Sequence, residues 1–145
     1  GKVGECHHPE THLIPNILKA VKGEKKDLTI FGDDYPTKDG SCVRDYIHVE
    51  DVCDAHVKAI KAFGKGIKNS YFNLGSQDGY SNFQVISAVE KITGMKVKYK
   101  IGPRRPGDPA KLIASAKKAK EILGWVPKYG IEDIVRTAWA WEKNI

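Results

Sequence analysis

The apolar and polar positions of this 145-residue chain follow helical and strand-like spacing in turn. Large aliphatic residues recur every three or four positions in residues 12–21, which predicts a helix that Gly23 ends. Residues 27–31 and 43–49 are typical of short strands, and a second helix follows the latter directly. The predicted inner face of that helix consists of Val52, Ala55, Ala59, Ile60 and Phe63.

The second half of the chain repeats the alternation. Residues 70–74 are typical of a buried strand, residues 97–101 of another strand, and residues 112–114 of a short extended piece. Ser81 and Gln84 form a capping box at the start of a helix, and Ser115 caps a further helix that Gly124 ends. A last amphipathic helix covers residues 131–139. Strands that alternate with helices predict an α/β fold.

Composition narrows the class of protein. The chain is 41% hydrophobic and 29% charged, which suits a single folded domain over residues 1–145 and excludes a disordered protein. No apolar run approaches the roughly 20 residues of a membrane helix, and no signal stretch opens the chain. Three unpatterned cysteines favour a reducing, cytoplasmic location. Since the chain begins with Gly1 and its only methionine is Met95, either an initiator was trimmed or the chain is a piece of a longer protein.

The usual cofactor and catalytic motifs are missing from the sequence. A dinucleotide fingerprint needs a glycine-rich loop between a strand and a helix, and the nearest match, Gly64-Lys65-Gly66, follows a helix. We interpret it as a loop that ends that helix. The sequence contains no Walker loop, no H-E-x-x-H or G-x-S-x-G motif, and no tyrosine followed four residues later by lysine. We therefore expect no catalytic residue and no cofactor-binding residue in this chain.

The segment 31–51 holds the densest group of chemically active residues. In an extended strand, Arg44, Tyr46 and His48 lie on one side. A guanidinium fork and a phenol suit a phosphate group, because both donate hydrogen bonds to anionic oxygens. The alternative is that Arg44 forms a structural ion pair with an aspartate, and spacing alone leaves both open.

A second group lies in residues 103–109, where Arg104 and Arg105 stand between prolines. Prolines stiffen such a cationic loop, so little entropy remains to be lost when it binds an anion. Asp108 in the same loop is a candidate acceptor for ribose hydroxyls. The alternative is a solvated basic loop.

Two further groups are interpreted as surface features. Residues 6–12 contain one cysteine and three histidines, but their spacing matches no structural zinc pattern, so we predict a polar loop and no metal. The lysine-rich residues 22–26 and 117–120 lack interleaved aromatic residues, which favours solvated helix faces over a nucleic-acid site. The net charge of +6 is compatible with an anionic small ligand.

Four motifs together resemble a known family: FGDDYPTKDGSCVRDYIHVEDV, YFNLGS, PRRPGDPAKLIAS and LGWVP. They resemble the C-terminal half of the UDP-glucose (UDP-galactose) 4-epimerases, which belong to the extended short-chain dehydrogenase/reductase superfamily. The similarity runs in order from Gly4 to the last helix. It implies that this α/β chain is the UDP-sugar-binding C-terminal portion of that fold, with mixed short strands and helices, and that the N-terminal Rossmann domain is absent from it.

The resemblance also implies an activity and partners. In the family, the Rossmann half holds NAD and the catalytic tyrosine and lysine, and a hydride leaves C4 of the hexose and returns to the other face, a step of galactose metabolism. This chain alone is therefore expected to be inactive. Its expected partners are a UDP-sugar, the N-terminal half, and a second copy in a homodimer of the full enzyme, with no nucleic acid and no membrane.

Site roles follow from the same resemblance. Arg44 and Arg105 would clamp the pyrophosphate with Tyr46 beside them, Asp108 would accept from the ribose, and the uracil and sugar pocket would be lined by Thr29, Ile30, Phe31, His12 and Leu13. His12 stands where many relatives have asparagine. Leu112 stands where many have a bulky tyrosine beside the hexose 2-position, which keeps UDP-N-acetylglucosamine open as the substrate.

Two hypotheses remain beside the epimerase. One is a stand-alone sugar-nucleotide binding module without catalysis. The other is a basic nucleic-acid adaptor, which would bind DNA or RNA of any sequence with strong dependence on salt. An in-frame strand, glycine-rich loop and helix encoded upstream of Gly1 would favour the epimerase over the binding module.

Overall fold

The computed structural model describes residues 3–144, and its elements alternate between short strands and helices. The helices of this part are α1 (Leu13–Lys22), α2 (Val49–Gly64), α3 (Asn82–Thr93), α4 (Lys117–Leu123) and α5 (Ile131–Glu142). The strands are β1 (Thr29–Phe31), β2 (Val43–Arg44), β3 (Tyr80–Ser81), β4 (Lys100–Gly102) and β5 (Lys111–Leu112). The α/β class is confirmed. No helix in the described residues is long and apolar enough to cross a membrane.

Local signals set the ends of two helices as predicted. At the start of α3, Ser81 Oγ accepts from the backbone N–H of Gln84 at 3.1 Å, and Gln84 Oε1 accepts from the N–H of Ser81 at 2.8 Å. This reciprocal pair satisfies two of the backbone donors that a helix start leaves open. Helix α1 ends at Gly23, whose φ of 82° is the left-handed conformation that glycine adopts without steric cost. The start of α4 differs, because Ala116 rather than Ser115 occupies the N-cap.

The main core lies between α1, α3 and α5. These helices contact one another pairwise, and Ile17, Val85, Val89 and Val135 are fully buried between them. Strand β1 pairs in parallel with β4 at the edge of this core, and its Ile30 is buried in it. The three helices therefore form the core against which β1 packs.

Strand β2 lies at the centre of a second small sheet. It pairs antiparallel with β3 and parallel with β5, so that Arg44 stands opposite both Tyr80 and Leu112. The predicted strand over 43–49 is wrong beyond Arg44. The Asp45 carboxylate replaces strand pairing at this point. It accepts from the N–H of Ser76 at 2.7 Å and from the N–H of Ala114 at 2.9 Å. A side chain here satisfies donors that a longer strand would have paired with backbone carbonyls.

The predicted strand at 70–74 is also wrong for the described chain. These residues belong to no sheet, and Tyr71 is 82% exposed. Phe72 and Leu74 pack against a second, smaller cluster around the fully buried Trp125. A strand needs a neighbour for its backbone groups, and residues 3–144 place no strand beside this segment.

The predicted inner face of α2 is only partly correct. Ala55 is buried, but Ile60 is 72% exposed and Phe63 is 69% exposed. Helix α2 contacts α4, and its buried residues are Asp51, Ala55 and Ala62. Of the predicted face, Val52, Ala55 and Ala59 are half-buried or buried, whereas Ile60 and Phe63 are exposed in the described part of the chain.

A buried carboxylate holds the second cluster together. Asp51 is 1% exposed, and its carboxylate accepts from the N–H groups of Lys128 and Tyr129 at 3.0–3.1 Å. Its backbone carbonyl accepts from Trp125 Nε1 at 2.9 Å. The motifs HVED and LGWVP thus meet through one residue, which joins the start of α2 to the loop before α5.

Replacement of Asp51 with alanine tests this junction. Asp51→Ala leaves two loop N–H groups without an acceptor, so we expect the free energy of unfolding to fall by about 2–4 kcal/mol. Urea denaturation followed by circular dichroism measures the change. The matched control is Asp27→Ala, because Asp27 pairs with Lys100 at a side-chain exposure of 77% and should contribute less than about 1 kcal/mol. Equal losses in the two variants would contradict the role given to Asp51.

Candidate functional site

A cavity of about 360 Å³ opens between α1, β1, β2 and the loop that follows β4. Its volume lies at the lower end of the roughly 300–1,000 Å³ that is usual for ligand sites. Most of the residues singled out from the sequence meet in it: Leu13, Thr29, Ile30, Phe31, Arg44, Tyr46, Arg105 and Asp108.

The parallel pairing of β1 with β4 brings the two predicted groups together. Phe31 stands opposite Gly102, and the N–H of Gly32 donates to the Gly102 carbonyl at 2.9 Å, so the arginine loop leaves β4 directly beside the end of β1. The Arg105 guanidinium then lies 4.1 Å from the centre of the Phe31 ring. A cation over an aromatic face is stabilised by the ring quadrupole, which holds this side chain at the cavity wall.

The neighbouring arginine points elsewhere. Arg104 Nε donates to Asp34 Oδ1 at 2.6 Å, and its guanidinium lies 4.4 Å from the centre of the Tyr35 ring. This ion pair lowers the pKa of Asp34, chiefly through the hydrogen bond from Arg104. Arg104 is thus engaged in a surface contact and does not line the cavity.

Arg44 lies in the cavity wall and forms an ion pair as well. Its Nη2 donates to Asp108 Oδ1, and its Nη1 donates to the Val43 carbonyl at 2.7 Å. The sequence left two roles open for Arg44, a phosphate contact and a structural ion pair, and the two roles are therefore compatible. Within residues 3–144, Arg105 has no carboxylate partner, so its positive charge is the uncompensated one at this end of the cavity.

Tyr46 adds a neutral donor. Burial is the main influence on this side chain and raises the pKa of Tyr46 to about 12. The phenol therefore keeps its proton at neutral pH and can donate to an anionic oxygen. Together with the arginines, it makes this end of the cavity suited to a phosphate group.

The cavity lining also contains residues that the sequence did not reveal. Lys25 Nζ donates to Asn16 Oδ1 at 2.8 Å, and Asn16 Nδ2 donates to the His12 carbonyl at 2.8 Å. No motif signals this pair, since an asparagine in a helix and a lysine in a polar loop are common surface residues. The other lining residues that the sequence analysis missed are Thr11, Asp27, Leu28, Cys42 and Asn82.

Two predicted site residues lie outside the cavity lining. The His12 ring is directed to Glu10, whose Oε1 lies 2.8 Å from His12 Nδ1, and Leu112 is 62% exposed on β5. His48, which was placed beside Arg44, is buried at the N-cap of α2 and contacts Thr137 instead. The physical reason is the early end of β2, which breaks the alternation that an extended strand would have kept.

The glycine pair Gly64 and Gly66 lies at the C-terminal end of α2. Helix carbonyls point outward at such an end, so it repels a pyrophosphate rather than binding it. Within residues 3–144, no strand leads through a glycine-rich loop into a helix. These residues do not fit a dinucleotide.

The cavity combines features for three chemical groups. Arg105, Arg44 and Tyr46 suit a phosphate, and the second Asp108 oxygen can accept from hydroxyls. The edge of β1 away from β4 pairs with no strand in the described part and offers backbone groups beside the Phe31 ring. A ligand that carries a planar, hydrogen-bonding base, hydroxyls and an anionic group would match these features.

The chain is similar to a known family and to curated relatives. The family described as GDP-mannose 4,6 dehydratase matches residues 4–138. The chain is 52% identical over 145 residues to the UDP-glucose 4-epimerase of Lacticaseibacillus casei, and this covers 99% of the chain and 44% of the relative. It thus spans less than half the length of that relative.

Two solved structures are similar along nearly the whole chain. A UDP-glucose 4-epimerase crystal structure has a TM-score of 0.94 and 45% identity, covering 98% of this chain and 44% of that one. The UDP-glucose 4-epimerase of Bifidobacterium longum, in complex with NAD+ and UDP, has a TM-score of 0.83 and 41% identity, covering 92% and 39%.

Proposed function

Because this chain belongs to the family described as GDP-mannose 4,6 dehydratase and corresponds to the C-terminal portion of UDP-glucose 4-epimerases, we propose that it binds the UDP-sugar of an NAD-dependent 4-epimerase. The observation that carries the proposal is the cavity in which Arg105, Arg44, Tyr46 and Asp108 converge. Their chemistry matches a nucleoside diphosphate before any relative is considered.

The first proposed contacts are those of the diphosphate with the arginines and Tyr46. Arg105 is free of carboxylate partners among the described residues, so a diphosphate oxygen gains a charge-assisted hydrogen bond without breaking an ion pair. Arg44 contributes a second charge, which the Asp108 carboxylate holds in place. The Tyr46 phenol supplies a further donor whose raised pKa keeps it protonated.

The nucleoside occupies the remainder of the cavity. Asp108 accepts from the ribose hydroxyls, and the free edge of β1 offers its backbone groups to the uracil beside the Phe31 ring. Leu13 covers the base from α1. This orientation directs the hexose past Arg44 and out of the cavity.

The reaction itself belongs to the part of the enzyme outside this chain. NAD supplies hydride chemistry at C4 of the hexose when it is bound by the N-terminal Rossmann part, and residues 3–144 do not fit it. This chain binds and orients the UDP-sugar, and we expect no epimerisation by the chain alone. The L. casei relative, an epimerase of which this chain matches 44%, supports the division of labour.

Two neighbouring arginines give a matched test of UDP binding. Arg105→Ala should weaken UDP binding by roughly 1.5–3 kcal/mol, or about 10- to 150-fold, because one charge-assisted contact is lost. Arg104→Ala should leave the affinity within about twofold, since that side chain faces Asp34. Isothermal titration calorimetry at low and physiological salt measures both.

The same titration with UMP serves as a ligand control. Tighter binding of UDP than of UMP would support contact between the arginines and the second phosphate. An unchanged UDP affinity in Arg105→Ala would remove the loop from the site, and equal losses in both variants would indicate a diffuse charge effect rather than a contact.

Exposed apolar side chains on α2 also support the need for the N-terminal part. Val49, Val57, Ile60 and Phe63 leave an apolar stripe on α2 exposed, and Tyr71 lies exposed in the segment that forms no strand. Apolar surface of this kind marks an interface. Since the chain spans 44% of its L. casei relative, we propose that the remaining N-terminal part covers this surface.

Substitution on this stripe tests the proposed interface. The Ile60→Ser/Phe63→Ser double variant should lose association with the separately produced N-terminal part of the L. casei enzyme, while Lys61→Ala on the same helix should retain it. Sedimentation velocity over a range of concentrations measures the association. A wild-type chain that stays monomeric at all concentrations, melts cooperatively and binds no N-terminal part would contradict the proposal, and self-association alone would assign the stripe to a second copy.

UDP-N-acetylglucosamine is the second candidate substrate. Leu112 lies outside the cavity lining but stands opposite Arg44 on β5, so a hexose that leaves the cavity past Arg44 would approach its side chain, which is smaller than that of tyrosine. The bulkier tyrosine of Leu112→Tyr should weaken binding of UDP-N-acetylglucosamine about tenfold relative to UDP-glucose. Calorimetry with both ligands measures the ratio, and an unchanged ratio would show that Leu112 does not select the sugar.

A further inference from the structure

We propose that Glu5, His7 and His12 form a binding site for a divalent transition-metal ion such as Zn²⁺. The order of residues 6–12 favoured a polar loop without metal, because its spacing matches no structural zinc pattern. The fold changes this picture. It brings together one carboxylate and two imidazoles that are two and five residues apart and whose ligand atoms lie within 4.8 Å of one another.

The distances suit one small ion. His7 Nδ1 lies 3.2 Å from Glu5 Oε1, which is close to the roughly 3.3 Å that separates two ligands on a tetrahedral zinc with bonds of about 2.0–2.1 Å. The rings of His7 and His12 meet edge to face, with centroids 5.2 Å apart. All three side chains are exposed, so small rotamer changes can close the remaining gap.

Glu10 orients the imidazole of His12. Its Oε1 accepts from the backbone N–H of His12 at 2.7 Å and lies 2.8 Å from His12 Nδ1. A carboxylate that accepts the proton of one ring nitrogen leaves the other nitrogen unprotonated and oriented for a metal. The Glu10 side chain is only 10% exposed, so this support is held within the structure.

The ligand set selects the class of metal. Two imidazoles and one carboxylate suit zinc and its neighbours, whereas calcium and magnesium prefer oxygen ligands throughout. Cys6 is not part of the set, because its sulfur lies towards His8, 3.9 Å from the Nδ1 atom of that ring. Three protein ligands leave one position of a tetrahedral ion for water.

The site would fix the loop that borders the cavity. Trp141 Nε1 donates to the Glu5 carbonyl at 3.3 Å, which ties the first ligand to α5. The last ligand, His12, directly precedes α1, and its neighbours Thr11 and Leu13 line the cavity. A bound ion would therefore link α5 to the cavity rim across the irregular segment 5–12. The metal site does not depend on what the cavity binds.

Titration of the untagged chain with metal alone tests the proposal. Calorimetry with ZnCl₂ should give one site per chain, and Co²⁺ should give the visible absorption of a tetrahedral complex. His7→Ala and His12→Ala should each weaken Zn²⁺ binding more than tenfold, and Glu10→Gln by about 10- to 100-fold, the usual effect of losing a supporting carboxylate. The melting temperature should rise with Zn²⁺ in the wild type but not in His7→Ala or His12→Ala.

Neighbouring histidines provide the controls. His8→Ala and His56→Ala should bind Zn²⁺ as the wild type does, since neither belongs to the three-residue set. Absence of the cobalt absorption, or a loss in His8→Ala as large as that in His7→Ala, would overturn the proposal. Because the ligands are exposed, unchanged circular dichroism in the variants will show that any loss is not a folding defect.

Discussion

The Asp45 carboxylate is the contact on which the cavity depends. It accepts from the N–H and the Oγ–H of Ser76 and from the N–H of Ala114, and so joins three segments that are far apart in sequence. Gly75 fits between them only because it lacks a side chain, since a Cβ there would lie 2.3 Å from the Ala114 carbonyl oxygen. Asp45 stands between Arg44 and Tyr46, and this junction therefore holds both cavity side chains in position.

Charge in the cavity is arranged around one compensated and one uncompensated arginine. Arg44 is held by Asp108, whereas Arg105 rests on the Phe31 ring and leaves its charge available. Held cations lose little conformational entropy when an anion arrives, which is a physical advantage of a preformed site. In the same loop, Arg104 pairs with Asp34, so the two adjacent arginines contact different parts of the structure.

The helices differ in how completely their apolar faces are buried. Helices α1, α3 and α5 bury their apolar faces against one another, whereas α2 packs on α4 through one stripe and exposes another. The fold is the α/β C-terminal portion of an extended short-chain dehydrogenase/reductase, and its relatives are more than twice as long. Exposed apolar surface on one side and a buried core on the other are consistent with a part that relies on a neighbour.

The sequence by itself determined the helices and the α/β class, because capping, glycine stops and apolar periodicity act over a few positions. Through motif resemblance it predicted Arg44, Arg105 and Asp108 as one group, and these residues line one cavity in the structure. Only the tertiary structure decided that β2 ends at Arg44, that residues 70–74 pair with no strand in the described part, and that Ile60 and Phe63 face outward. Those outcomes depend on which segments lie beside each other in space, as does the convergence of Asn16 with Lys25 and of Glu5 with His12.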